Sequence, residues 1–422
     1  MKSQINRKIY TAFFSIESSF FFVLSIFLLF TNLLFSGCIQ PDGSTDDTDH
    51  IEVTSGDLEL RQQFALDWFT DNINENDYFN YLYDPESNEY PLLNNMVRQL
   101  LASRLLAELS QQDEKMVPAH NNNLEYIFSQ WYTTDASKGY IYYDGESNLG
   151  ANAMALRTLI ASPLYDDYEL IASHLTYTIL SLQHENGSFD PFFISPTYKF
   201  DEVHLLKFYS GQTILALLEL YEKTKNESLY DAALLSQRYY YSLYVENIST
   251  NYHPSFVPWH SQTLYRLYKL TNNNTYATAV FILNDLLIEM QEKTNTSVLG
   301  RFFDPLNPLY GSYHSSSDAL YTEGLVYAYR LAYYLNDTER MQRYQTAFLL
   351  GSLNLISLQY TNISDANTFG GVRYGVDDGR IRVDNVVHTI EAFDAISSVM
   401  NQQEPWIFTY DISTSIGMVN SS

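Results

Sequence analysis

Apolar positions recur along this chain with the spacing of amphipathic helices, in twelve segments separated by polar or aromatic loops. Six segments begin with polar residues and continue as almost uniformly apolar runs, which predicts helices that are buried on most sides. They start at Asn94, Asn148, Ser210, Trp259, Ser317 and Asp384. The other six are amphipathic and alternate with the first set. They cover residues 58–73, 124–132, 168–183, 228–244, 276–291 and 338–359.

The alternation has a long period. With one marker in each polar-start segment, at Met96, Asn152, Gln212, Gln262, Glu323 and Glu391, the pattern repeats every 50 to 68 residues. Two helices and two connections fit this length, which is typical of arrays of helical hairpins. We therefore expect an all-α fold, an (α/α)6 toroid in which the polar-start helices form an inner ring and the amphipathic helices an outer ring.

The connections differ in length at the two ends of the expected ring. Those entering the inner helices are long and aromatic, whereas the return connections are as short as Asn336-Asp337. Long loops in a compact domain are usually functional. The functional face is therefore expected where the N-termini of all six inner helices open together.

Polar side chains near the starts of the inner helices are the candidate site. Capping and satisfied burial are the alternative explanation for any one of them. The candidates for catalysis are His260, Asp318, Glu323, Asp384, His388 and Glu391. The candidates for substrate binding are Arg98, Asn152, Gln212, Trp259 and Gln262, together with Tyr143, Arg373 and Tyr374 from the aromatic and glycine-rich loops. Tyr and Trp present apolar faces and polar tips, which suit sugar rings.

Other kinds of site lack their sequence motifs. The chain has no HExxH motif, no nucleophile elbow and no phosphate-binding glycine loop. We predict no metal and no cofactor. The net charge is −26, which argues against nucleic acid as a partner because lysine and arginine are needed to neutralise phosphates.

The N-terminus is typical of an export signal. Lys2, Arg7 and Lys8 precede the apolar run 20–35, and small residues then lead to Cys38, the single cysteine. This resembles the lipobox of prokaryotic lipoproteins, which implies a signal peptide at 1–37, lipidation of Cys38 and a flexible tether at 38–56. An uncleaved signal anchor is the alternative. Both place the toroid domain, 57–402, and a C-terminal tail, 403–422, on the outer face of the cytoplasmic membrane, where the N-x-S/T triplets would suit glycosylation.

The helix order resembles the six-hairpin toroids of carbohydrate-active enzymes over about residues 57–400. Sugar epimerases of the N-acylglucosamine 2-epimerase type carry acid–base histidines on the fourth and sixth inner helices and an arginine on the first. The matching positions here are His260, His388 and Arg98. The chain departs from that family at Thr263, where the family has a glutamate. In related lyases and glycosidases carboxylates carry the chemistry, which would implicate Asp318, Glu323, Asp384 and Glu391.

These observations favour a surface-tethered enzyme that acts on an oligosaccharide or a uronate-containing glycan. Hydrolysis, elimination and epimerisation all remain open from the sequence. The alternatives are a glycan-binding protein without catalysis and a toroid that serves as a scaffold for protein partners.

Overall fold

The computed structural model describes residues 50–310, 313–400 and 405–421, and these residues are mainly helical. The described helices are α1 (Ser55–Asp71), α2 (Met96–Gln112), α3 (Val117–Gln130), α4 (Leu149–Ala161), α5 (Glu169–Ser181), α6 (Glu202–Thr224), α7 (Glu227–Tyr241), α8 (Ile248–Asn251), α9 (Val257–Thr271), α10 (Asn274–Glu289), α11 (Ser315–Tyr334), α12 (Thr338–Leu358) and α13 (Val383–Met400). The predicted signal peptide, Cys38 and most of the tether lie outside these residues. None of the described helices has both the length and the apolar character needed to cross a membrane.

Six helices form a closed inner ring. α2, α4, α6, α9, α11 and α13 each contact the next in this order, and α13 also contacts α2. The outer helices α3, α5, α7, α10 and α12 pack against the inner helix that precedes them, whereas α1 packs on α13. The predicted (α/α)6 toroid is confirmed, with the first outer helix completing the last hairpin.

Local sequence signals start the inner helices as expected. Asn95 and Asn148 cap α2 and α4 by accepting hydrogen bonds from Arg98 N and Ala151 N. α6 begins at Glu202, eight residues before the predicted start, because Asp201 is its N-cap. The last inner helix already starts at Val383, so Asp384 lies within its first turn rather than at its N-cap.

Short strands brace the loops at the N-terminal ends of the inner helices. Antiparallel pairing joins β2 (Leu82–Tyr83) to β8 (Asp378–Arg382) and β8 to β7 (Arg373–Gly375). The remaining pairs here are β3 (Tyr132–Asp135) with β4 (Lys138–Ile141) and β5 (Ser147–Asn148) with β6 (Phe192–Ile194). The first sheet links the entries to the first and last inner helices, so it holds the two ends of the ring together.

Three of these loops contain a glycine that meets the neighbouring outer helix. Gly187, Gly300 and Gly370 all have positive φ, between 84° and 90°. A Cβ on Gly300 would lie 1.8 Å from the carbonyl oxygen of Leu350 in α12, and a Cβ on Gly370 would lie 1.8 Å from that of Phe64 in α1. Only glycine permits both this conformation and this approach. The loops thereby tie successive outer helices to one another.

Residues 406–421, within the predicted C-terminal tail, form two strands. β9 (Trp406–Asp411) pairs with β1 (His50–Thr54) on one side and with β10 (Ile416–Ser421) on the other. Alternate residues of β9, Trp406, Phe408 and Tyr410, are buried. This sheet joins the two ends of the described chain and extends the hydrophobic core.

Candidate functional site

A cavity of about 410 Å³, which we call the mouth, opens at the N-terminal ends of the inner helices. Its volume is within the range of small-molecule sites. The inner helices contribute Arg98, Tyr209, Gln212, Trp259, Ser316, Ser317, Leu320, Asp384 and His388, among others. The segments before these helices add His253, Tyr310, His314, Tyr374 and Arg382. Polar and aromatic side chains thus converge at the expected face.

One wall of the mouth is an ion-pair cluster around Asp384. Arg98 Nε and Arg382 Nη2 each donate to its carboxylate at 2.8 Å, and Arg382 Nε donates to it as well. Burial acts to raise the pKa of Asp384, but the two arginines outweigh it and hold that pKa well below its ordinary value. The carboxylate therefore stays ionised and the cluster keeps one net positive charge. Arg98, 34% exposed, can still donate to a ligand.

His388 lies at the floor of the mouth, and Glu391, behind the floor, orients its ring. Its Nδ1 lies 3.1 Å from Oε2 of Glu391, whose other oxygen pairs with Arg104. Burial acts to raise the pKa of Glu391, but Arg104 and His388 lower it overall. An ionised carboxylate can only accept, so Nδ1 carries the hydrogen of this contact. Within the described residues Nε2 has no hydrogen-bond partner in the protein, so it is the nitrogen available to a ligand.

Glu323 lies beside this pair on α11. Its Oε1 accepts a hydrogen bond from Gln262 at 2.9 Å, whereas its buried Oε2 has no partner in the protein. Burial, and then the charge of Glu391, raise the pKa of Glu323 to about 7. Two adjacent carboxyl groups thus have opposite protonation preferences.

Among the described residues, Glu323, His388 and Glu391 also meet a spacing test for a metal site. One ligand atom from each lies within 4.8 Å of the others. Arg104 already pairs with Glu391, and its positive charge opposes a divalent cation at the same place. We therefore interpret the group as an ion-pair and hydrogen-bond network.

The structure does not place His260 in the mouth. The side chain points away from the axis into a nest of Tyr240, Tyr244 and Phe256, and the residue is 2% exposed. Its Nε2 donates to Ser210 at 3.2 Å. Burial lowers the pKa of His260 to about 3, so the ring is neutral. The sequence-based pairing of His260 with His388 as two facing acid–base groups is therefore wrong.

Thr263, the departure from the epimerase pattern, belongs to the same buried network. Its hydroxyl donates to Gln237 Oε1 at 2.8 Å, and Gln237 Nε2 donates to Nδ1 of His260 at 3.4 Å. Both ring nitrogens of the histidine are thus occupied by neighbours. This chain uses the position for packing between α9 and α7.

Four further predicted residues also lie away from the mouth and hold the scaffold. Asp318 accepts from Phe302 N at 3.0 Å and from Asn354 at 2.8 Å, and burial raises its pKa to about 7. Asn152 accepts from Ile141 N at 2.8 Å. The remaining two are Tyr143, which packs on Trp131, and Arg373, which donates to the carbonyl oxygens of Ser357 and Leu358.

The other nine predicted residues divide between the mouth and the space behind its floor. Gln212, Trp259 and Tyr374 line the mouth with Arg98, Asp384 and His388, while Gln262, Glu323 and Glu391 lie behind its floor. Gln212 Oε1 and Trp259 Nε1 are buried and have no partner in the protein. One acceptor and one donor therefore await a ligand or water in the mouth.

Several mouth residues were not predicted. His314 caps α11 by accepting from Ser317 N, its Nε2 lies 3.0 Å from Ser317 Oγ, and the ring packs on Tyr374. Arg382, two residues before Asp384, completes the ion pairs of the mouth, and Arg104, in the middle of α2, pairs with Glu391 behind its floor. An arginine among the leucines of an inner helix was an available signal, since such a charge is rarely buried without a partner.

Comparisons with known proteins support the architecture. No protein-family model and no curated protein matches the sequence. A D-mannose isomerase structure matches with a TM-score of 0.61 at 12% identity, covering 85% of this chain and all of the other. The fold is an (α/α)6 toroid. The unsaturated glucuronyl hydrolase from Bacillus sp. GL1 matches with a TM-score of 0.60 at 13% identity, covering 82% of this chain and 97% of the other. The α-1,6-mannanase from Salegentibacter sp. HEL1_6 matches with a TM-score of 0.56 at 14% identity, covering 82% of this chain and 99% of the other. At these identities the toroid shares their fold.

Proposed function

We propose that the protein is a carbohydrate-active enzyme in which His388 moves a proton on a sugar bound in the mouth. The observation that carries the proposal is the contact between Glu391 and Nδ1 of the imidazole, which leaves Nε2 without a protein partner at the floor of a polar and aromatic cavity. Structurally similar toroids act on sugars, including D-mannose isomerase. Among the reactions left open by the sequence, isomerisation or epimerisation at a carbon next to a carbonyl is best supported.

The mouth suits two-carboxylate glycoside cleavage less well. Among the described residues that line it, Asp384 is the single carboxylate. Its oxygens already accept from Arg98 and Arg382, and its lowered pKa prevents it from acting as an acid. Glycosidases need a second carboxyl group facing the same bond, 5–9.5 Å away by general geometry. Glu323 and Glu391 lie behind the floor and do not supply it.

The chemical step is a proton transfer within one sugar. Nε2 of His388 takes the proton from the carbon next to the carbonyl, and the electron pair of that C–H bond forms a carbon–carbon double bond. The carbonyl oxygen gains the negative charge, which Arg98 can stabilise as a donor. Return of the proton to the neighbouring carbon, together with transfer of the hydroxyl proton from one oxygen to the other, gives the isomer. Return of a proton to the first carbon from the opposite face of the double bond gives the epimer. Atoms and electrons balance without a cofactor.

β-Elimination from a uronate is the second candidate. It begins with the same proton abstraction next to a carbonyl, and the net positive charge of the Arg98–Asp384–Arg382 cluster favours a carboxylate-bearing sugar. The two reactions differ in the fate of the electron pair. A leaving group departs in elimination, and an unsaturated product with ultraviolet absorbance appears.

The test is incubation of the purified protein in D₂O with free aldoses, ketoses and uronate oligosaccharides, followed by mass spectrometry and NMR. We expect deuterium in the isomerised or unsaturated product. His388→Gln should lower kcat by about 10²-fold or more. His260→Phe is the matched control and should retain turnover. Equal turnover by His388→Gln would refute the proposal, and binding without any product would favour a glycan-binding protein.

We also propose that the protein is exported and tethered to the outer face of the cytoplasmic membrane through Cys38. The basic start, the apolar run and the small residues before the cysteine support this. Wild-type protein should incorporate labelled fatty acid and partition with membranes. Cys38→Ala should lose the label, and a labelled Cys38→Ala protein would contradict lipidation at this residue.

A further inference from the structure

A second cavity, which we call the back chamber, lies on the barrel axis beyond the floor of the mouth. Its volume is about 270 Å³. Five inner helices line both cavities, with later residues in the back chamber, and α4 joins them there through Arg157. For example, α2 contributes Arg98 to the mouth and Arg104 to the back chamber, and α13 contributes His388 and then Glu391. Because the inner helices run in parallel, the two cavities are stacked along the axis and open toward opposite ends.

The back chamber is lined by charges of both signs. They are Arg104, Glu108, Arg157, Glu219, Arg266, Glu323, Arg330, Glu391 and Asp394. Arg157 donates to both oxygens of Glu219 at 2.8 and 3.0 Å, and Arg266 bridges to the same carboxylate. The C-terminal halves of six helices carry partial negative charge toward this end, which favours the arginines. The chamber is thus held open by ion pairs instead of being filled with apolar side chains.

Three polar atoms of residues that line the chamber are buried and have no partner in the protein. They are the acceptor Oε2 of Glu323 and the donors Nε of Arg104 and Arg266. A ligand that satisfies acceptors and donors in one polar space is water, and the chamber has room for several molecules. Glu323 is one of the residues that line this chamber.

The His388–Glu391 pair lies between the two cavities. His388 lines the mouth, and Glu391 lines the back chamber. The Nδ1–H of the imidazole faces Glu391, whereas Nε2 faces the mouth. A sugar bound over Nε2 would separate the imidazole from solvent in the mouth, so its other nitrogen is connected only to the chamber side.

We propose that the back chamber is a water-filled proton inlet for His388, and that Glu323 passes protons between chamber water and the Glu391–His388 pair. This rests on the proposed role of His388. After Nε2 takes a proton from the sugar, the Nδ1 proton moves to Glu391, then through water to Glu323 and out to the chamber. The same transfers in the opposite direction return a proton to the imidazole. One proton enters for each that leaves, and no electrons are transferred.

The protonation preference of Glu323 suits this role. Burial and the charge of Glu391 raise its pKa to about 7, so the carboxyl group can both gain and lose a proton near neutral pH. Asp318 on the same helix is a matched control. It is also buried, and burial raises its pKa to about 7, but its oxygens accept from Phe302 N and Asn354 at the outer wall.

The first experiment needs no substrate. Exchange of the Nδ1–H of His388 with water is measured by NMR in the full protein, with the signal assigned by its loss in His388→Gln. We expect Glu323→Gln to slow this exchange about tenfold, Glu323→Asp to restore part of the rate, and Asp318→Asn to leave the rate unchanged. An unchanged rate in Glu323→Gln, or equal slowing in Asp318→Asn, would overturn the proposal.

The second experiment follows turnover in D₂O. In the wild type, substrate hydrogen is lost to solvent during the reaction. In Glu323→Gln a larger share of that hydrogen should be retained in the product, with KM unchanged, because the outlet is blocked. Equal retention of substrate hydrogen by the wild type and Glu323→Gln would contradict the proposed proton inlet. Slowed exchange in the first experiment without turnover of any sugar would instead leave the inlet standing and refute the proposed function.

Discussion

Replacement of His260 by phenylalanine tests whether this residue is part of the core or part of the chemistry. The phenylalanine ring keeps the contacts with Tyr240, Tyr244 and Phe256 but cannot take up a proton. We expect the variant to turn over sugar at the wild-type rate. We also expect its stability to depend less on pH, since burial holds the wild-type imidazole neutral.

The magnitude follows from the two pKa values of His260. In the folded protein the pKa is lowered to about 3, against 6.5 for an unperturbed histidine. At pH 5 the unfolded chain therefore binds a proton at this residue and the folded chain does not. Stability is present above the unfolded pKa and falls as the pH drops below it. Between pH 8 and pH 5 the imidazole accounts for a loss of about 2 kcal/mol in the free energy of unfolding.

Urea unfolding of both proteins at pH 8 and pH 5 measures this difference. His120, another histidine whose pKa is lowered by burial, contributes equally to both proteins, so the comparison isolates His260. The wild type should lose about 2 kcal/mol more than His260→Phe between the two pH values. Equal losses would refute the assignment of a neutral, buried imidazole, and a folded variant without turnover would return His260 to the catalytic site.

Two further substitutions test the scaffold. Asp384→Asn should lower the free energy of unfolding by about 3 kcal/mol, because it leaves the guanidinium of Arg382 buried without its counter-charge. Thermal and urea unfolding measure this change, and a loss below about 1 kcal/mol would contradict the stabilising role of the ion-pair cluster. Gly300→Ala should destabilise the protein far more than Gly145→Ala, since both glycines have a φ of 85° but only at Gly300 would the Cβ strike the carbonyl oxygen of Leu350. Equal losses in the two glycine variants would show that backbone strain alone accounts for the effect.

The hairpin period and the position of the mouth were predictable because both depend on patterns repeated six times along the chain. A polar start followed by an apolar run identifies an inner helix, and parallel inner helices bring those starts together. The β1–β9–β10 sheet was not predictable from such a pattern. Its strands β1 and β9 pair across more than 350 residues, and the alternate residues Trp406, Phe408 and Tyr410 become buried in the folded protein.

The site was predicted less completely because a single step along a helix turns the side chain by about 100°. Trp259 faces the mouth, whereas its neighbour His260 faces the outer helix. Asp318 and Glu323 are likewise both acidic residues of one helix, but only Glu323 lies near the axis. Without neighbouring helices in view, residue type alone could not separate a side chain that faces the axis from one that packs outward.

The closure of the ring has a consequence for synthesis. In the part of the chain that the structure describes, the early elements β1 and α1 pair with the late elements β9 and α13. A nascent chain can assemble hairpins one after another, yet the apolar flank of α1 stays uncovered until the final helix leaves the ribosome. A chain truncated before α13 would leave this flank exposed and should be cleaved by proteases more readily than the closed ring.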